Sequence, residues 1–177
     1  LSSNATKMVA VESENQNLKE KKAIDTNVVQ AEKFVLSAFL HKKPFAFFKE
    51  DAEKYFTENR KQFYKKICEL SKTEEEKNLP KKFYEAYCNA GLNETENEKL
   101  QEEASEIINY IMKNGDEENE LAFYKDCIYL MFKNYAENKI EELNRQLENE
   151  IDREKRNQIF VQINELLGKI KTKKVEL

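Results

Sequence analysis

A chain of 177 residues, 40% of them hydrophobic and 36% charged, can bury one sizeable core and is too apolar to belong to the disordered proteins. Three glycines and two prolines argue against a strand-rich fold, which uses more of both, and point to helices joined by short turns. The net charge of −4 argues against a phosphate-tracking protein, and no run of eighteen apolar residues and no basic-then-apolar leader is present; a soluble, cytoplasmic protein is expected.

The charge is unevenly spread. Residues 31–66 carry nine Lys/Arg against five Asp/Glu, residues 69–120 carry six against fifteen, and residues 137–177 carry nine against nine. The early part is mildly basic, the middle is acidic, and the balanced end lacks the excess that nucleic-acid binding needs.

In chain order, residues 1–25 are polar and without period, and read as a flexible linker. Because the sequence begins with Leu1, it is expected to be a piece of a longer polypeptide. Thr26 is the expected N-cap of a first helix whose wide apolar face holds Val28, Val29, Phe34, Val35, Ala38, Phe39 and Leu40, with Pro44 as its stop. Phe45, Phe47 and Phe48 form an aromatic stretch that suits a plug in the core. Asp51 or Thr57 opens the next helix, through Phe63 and Ile67. Thr73 with Glu76 makes a capping box, Pro80 suits the first position of a following helix, and Gly91 its C′ position. Asn93 to Glu96 starts another helix, which Gly115 ends.

From Glu117 to Ile151 the pattern predicts a single helix about 50 Å long. Leu121 to Phe132 is apolar nearly all round and belongs inside a bundle. From Ala136 the apolar residues thin to one seam, Ile140, Leu143, Leu147 and Ile151, which can have only one neighbour. That neighbour is the next segment, where Ile159, Ile163, Leu166 and Ile170 repeat the narrow seam after a charged break at residues 152–156. The expected fold is all-α: a compact bundle of about five to six helices (26–135), followed by the long helix and a C-terminal helical hairpin (136–177).

No phosphate loop and no nucleophile–base set can be assembled. Cys68, Cys88 and Cys127 lack zinc-ligand spacing and read as buried thiols, and His41 reads as a C-terminal cap or exposed side chain. Glu102-Glu103 and Glu117-Glu118 could in principle hold a divalent metal, but such density suits a solvated face. Enzyme activity and a cofactor are not expected in this chain. What the seam does not absorb is a second apolar group on the last helix: Phe160, Val161 and Leu167. Phe160 and Leu167 are seven residues apart and share a stripe, which either folds back on the bundle or tail or faces a partner.

The segment from Ala31 to Leu40, then Phe56 leading into Phe63-Tyr64-Lys65-Lys66-Ile67, resembles the opening of the C-terminal helicase-binding domain of bacterial DnaG-type primases. Lys139 to Leu143 and Asn164 to Leu167 are similar to its long and final helices, so that the resemblance covers most of residues 31–171. It departs from that pattern at Lys42-Lys43-Pro44-Phe45 and in the acidic middle. The resemblance implies a compact subdomain similar in fold to the N-terminal domain of the replicative helicase, and a hairpin that docks on that DnaB-type helicase. It places the primase's catalytic core, with its zinc and a divalent metal such as magnesium, upstream. On this reading Phe160 and Leu167 are anchors, with Val161 beside them, Ile151 near the hairpin turn, Ile170 on the last helix, and Lys171, Lys173 and Lys174 on the rim; neither nucleic acid nor membrane is an expected partner. Two other readings remain: a hairpin that self-associates, and the similar N-terminal domain of the helicase itself.

Overall fold

The structure is a computed structural model and describes residues 25–46, 51–88, 91, 93–113 and 117–175. The expected linker falls almost wholly outside the described residues, as do Phe47, Phe48 and Gly115. Among the described residues there are helices, turns and irregular connections but no strand, so the fold is all-α. Among the described residues, four α-helices and two 3₁₀ helices precede the long helix.

The central element is α1 (Thr26–Leu40), buried without interruption from Phe34 to Leu40. A helix apolar on every side has to be surrounded. Helices α2 (Glu58–Leu70), α4 (Glu94–Lys113) and α5 (Glu117–Asn149) pack on it, and α3 (Leu79–Ala86) bridges α2 and α4. A 3₁₀ turn over Ala52–Tyr55 leans on α5. Between these helices Phe63 meets Phe83 and Tyr87 edge-on, with ring centroids 5.6 and 4.7 Å away, and Phe56 stacks on Tyr64 at 4.8 Å. Half-buried Phe45 lies 5.0 Å from Tyr124, as a core plug would.

Several chain ends differ from expectation. Asp25, one residue before Thr26, caps α1, its carboxylate accepting the Asn27 N–H at 2.9 Å. The helix stops at Leu40, before Pro44 can act. Lys42 adopts a left-handed φ of 45°, its N–H donating to Phe39 O and the Lys43 N–H to Ala38 O; this pair of bonds usually recruits glycine. The capping box at Thr73 does not form, because the Thr73 hydroxyl and amide both turn back to Leu70 O at the end of α2. Pro80 sits in the first turn of α3, where its missing N–H costs nothing, but second after Leu79. Gly91 lies beyond the end of α3 and without positive φ. Its small size serves a close approach instead, since a Cβ there would stand 2.7 Å from Glu96 Cβ. Asn93 does cap α4, accepting the Glu96 N–H at 2.9 Å.

Helix α5 presents Tyr124, Cys127, Ile128 and Met131 to the bundle, but Leu121 and Phe123 at its start are exposed, so its first turns are not enclosed all round. Cys127 is buried and Cys68 and Cys88 are half-buried, all as free thiols; burial pushes Cys127 up to about 12, so it stays protonated at neutral pH. Beyond the bundle α5 continues to Asn149, and α6 (Arg153–Thr172) returns along it. Leu143, Ile159 and Ile163 close a second, separate apolar cluster, with Ile140, Leu147 and Leu166 half-buried around it. At 1.5 Å per residue the two helices run about 50 and 30 Å.

Candidate interaction surface

The hairpin is fastened at both ends. At its tip the break falls at residues 150–152, not 152–156, because Asp152 is an N-cap: its carboxylate accepts the Glu154 and Lys155 N–H groups at 2.8 and 3.0 Å. Arg156, already inside α6, donates to Leu147 O and Glu150 O at 2.7 and 2.9 Å, satisfying carbonyls that the end of α5 leaves open. At its base the Tyr129 hydroxyl donates to Ile170 O at 3.1 Å, the Lys173 ammonium lies 5.4 Å from the Tyr129 ring centre, and Val175 packs on the main core.

This framework places the residues read from the sequence as follows. Phe160 and Leu167 are 46% and 48% exposed, so neither the bundle nor the described part of the tail covers them. Val161, 56% exposed, lies about 100° round the helix from Phe160 and forms a separate shoulder. Lys171 and Lys174 are exposed, but Lys173 is engaged with Tyr129. Ile170 is half-buried at the base, near Tyr129, and Ile151 stands 95% exposed in the turn at the far tip. Phe160, Leu167 and Lys171 therefore share one face, whereas Ile151, Ile170 and Lys173 are distributed between the two ends.

A second cluster gave little signal in the sequence. Glu32, fully buried on α1, accepts from the Thr57 N–H at 2.5 Å, the Thr57 hydroxyl at 2.9 Å and the Arg60 Nε. Arg60 also donates to Glu103 of α4 at 2.7 Å and to the Thr57 hydroxyl at 3.1 Å. Burial raises Glu32 above the ordinary carboxylate value, against the lowering effect of Arg60 and Thr57. For Arg60, burial opposes the charge, but Glu32 and Glu103 together outweigh it and hold its value up. Burial therefore sets the direction for Glu32, and two carboxylates on one guanidinium set it for Arg60. The available signal was Glu32 standing in the apolar row Val28, Val35, Phe39 at helical spacing. His41 is not merely a cap or exposed; its Nε2 lies 2.8 Å from Ile108 O and ties α1 to α4.

Among the described residues no group of three or more His, Cys, Asp or Glu is placed to hold a metal ion, and no helix is long and apolar enough to cross a membrane. Glu103 is occupied by Arg60, and the Glu117 and Glu118 side chains lie outside the described residues. No family model, curated protein or solved structure matches the chain. The functional reading therefore rests on the geometry of the hairpin and on the resemblance carried by its residues.

Proposed function

We propose that this chain is a protein-interaction module that serves a DnaG-type primase, binding the N-terminal domain of the replicative helicase and so coupling primer synthesis to the fork. The observation that carries the reading is the exposed Phe160–Leu167 stripe, which lies beside a seam of Ile159, Ile163 and Leu166 already closed on α5. A long helix that leaves a compact bundle and returns as a hairpin is also the arrangement the sequence resemblance implies. The module recruits and does not catalyse; zinc, magnesium and primer synthesis belong to the parent enzyme.

Docking is helix-in-groove, with two apolar anchors about 10 Å apart along α6. Each anchor truncated to alanine is expected to cost about 2 kcal/mol, roughly thirtyfold in affinity. The test is calorimetric titration of the chain against the helicase N-terminal domain. Wild-type binding that survives Phe160→Ala with Leu167→Ala unchanged removes the anchors, and no wild-type binding removes the proposal. Sedimentation of the chain alone separates the rival reading, since a dimer lost in the same double variant would mean that the stripe pairs with itself.

A further inference from the structure

Among the described residues, three that are not glycine have a left-handed backbone: Lys42, Glu58 and Lys173. Lys42 and Lys173 come just after α1 and α6, where such a residue commonly ends a helix. Glu58, with φ 46°, is instead the first residue of α2, where the backbone should already be right-handed. A Cβ in the left-handed conformation crowds the following carbonyl, so the position favours glycine. Its neighbour forgoes a second local preference. Thr57 is the N-cap of α2, and threonine is a good cap, yet its hydroxyl makes no cap bond. That hydroxyl donates to Glu32 at 2.9 Å, as the Thr57 N–H does at 2.5 Å. Arg60 donates to the same carboxylate and to Glu103, so Glu58 is fixed between two residues anchored on one buried side chain. Upstream, Tyr55 rests on α5, its ring centroid 6.0 Å from that of Phe132 and 5.1 Å from that of Tyr135, just before the seam with α6 begins at Ile140.

We propose that residues 57–60 form a catch with two arrangements, and that Tyr55 passes the change between them to the root of the hairpin. In the arrangement seen, Glu32 holds Thr57 and Arg60 and keeps Glu58 left-handed. In the other, Thr57 lets go of Glu32, its hydroxyl caps α2, Glu58 relaxes to a right-handed backbone, and Tyr55 shifts against Phe132 and Tyr135. Two unmet local preferences favour release, and three hydrogen bonds to a buried carboxylate oppose it. The two sets compete for the Thr57 hydroxyl and so exclude each other, which makes the element two-state. The catch lies in the bundle and is independent of the Phe160–Leu167 stripe and of the docking proposed for it.

The test compares thermal melts of Glu58→Gly and Glu58→Ala in the full chain. Both remove the exposed carboxylate and its 3.9 Å contact with Arg60, and only alanine keeps a Cβ. In the otherwise wild-type chain the glycine variant is expected to melt about 2–4 °C above the alanine variant. In two released backgrounds, Glu32→Leu and Thr57→Asp, the order is expected to reverse by a similar amount, because a right-handed first turn favours alanine over glycine. Thr57→Asp keeps a cap for α2 while its ionised side chain cannot donate to Glu32, and it serves where Glu32→Leu fails to fold. If alanine melts at or above glycine in the wild-type chain, no strain is held at Glu58. If glycine stays ahead in the released backgrounds, the second arrangement does not exist. Either result overturns the proposal. The link to the hairpin is read by fluorine NMR of the chain labelled with fluorotyrosine, the Tyr55 signal being assigned by Tyr55→Phe. That signal is expected to move in Glu32→Leu and Thr57→Asp and to stay in place in Glu58→Gly; a signal unmoved in both released backgrounds overturns the proposal as well.

Discussion

In the bundle a buried ring meets neighbours from two further helices, as Phe34 does with Tyr110 of α4 and Phe123 of α5, and a buried carboxylate finds its donors at the start of another, as Glu32 does with Thr57 and Arg60 of α2. In the hairpin a buried isoleucine meets one facing helix and then water. The difference separates two ways of using apolar surface. The bundle spends nearly all of it internally, on α1 above all, whereas α6 closes a narrow seam with Ile159 and Ile163 and leaves a second group of apolar residues exposed. A thin seam needs fastening at both ends, which Arg156 and Asp152 supply at the tip and Tyr129 and Val175 at the base. It is this economy that leaves Phe160, Val161 and Leu167 exposed on α6.

The comparison is broken most forcefully in the bundle. Arg60→Met removes the only guanidinium facing Glu32 and leaves that carboxylate buried on α1 with the Thr57 groups alone. Breaking a buried pair on one side costs about 3–5 kcal/mol, so urea unfolding is expected to show a loss of that size across the whole bundle. A loss under about 1 kcal/mol would place the network at the level of a surface ion pair. In the hairpin Ile163→Ala is expected to cost about 2 kcal/mol, the low end for a buried isoleucine, because the side chain packs on α5 alone. The loss should be local. Hydrogen exchange would speed up along α6 and the distal half of α5 while α1 stays protected, and equal acceleration in α1 would mean that bundle and hairpin unfold as one unit.

How far the sequence announced this depends on the kind of signal. The hairpin was legible because a narrow seam in a charged surround, Leu143 and Leu147 facing Ile159 and Ile163, has only one packing solution. Phe160 and Leu167 were legible for the same reason, as apolar residues in excess of that seam. The chain ends were not, since Asp25 and Thr26 are both good caps, and a left-handed lysine at residue 42 breaks the usual preference for glycine. The Glu32 network was hidden as well: its donors Thr57 and Arg60 lie 25 and 28 residues away, and nothing local marks Glu103 as the second carboxylate on Arg60.

Glu32 also provides the finest test of what holds the bundle together. Burial, the largest influence on it, raises its folded value above the ordinary 4.5, and Arg60 and Thr57 only partly offset that rise. A carboxylate raised on folding contributes stability that is fully present below 4.5 and is lost as pH rises through its folded value. Glu32→Gln removes this titration, keeps an acceptor for the Thr57 and Arg60 donors, and makes the site's contribution flat with pH. Relative to the variant, wild type is therefore expected to lose stability as pH rises from 4.5 through the folded value. Paired thermal melts at matched ionic strength measure the difference. If wild type instead gains on the variant over that range, the guanidinium outweighs desolvation, and the network stabilises the ionised carboxylate. The hairpin offers no counterpart to this experiment, because its described ion pair, Lys139 with Glu142, lies on one helix with Glu142 open to water. Pairs of that kind contribute about a few tenths of a kcal/mol.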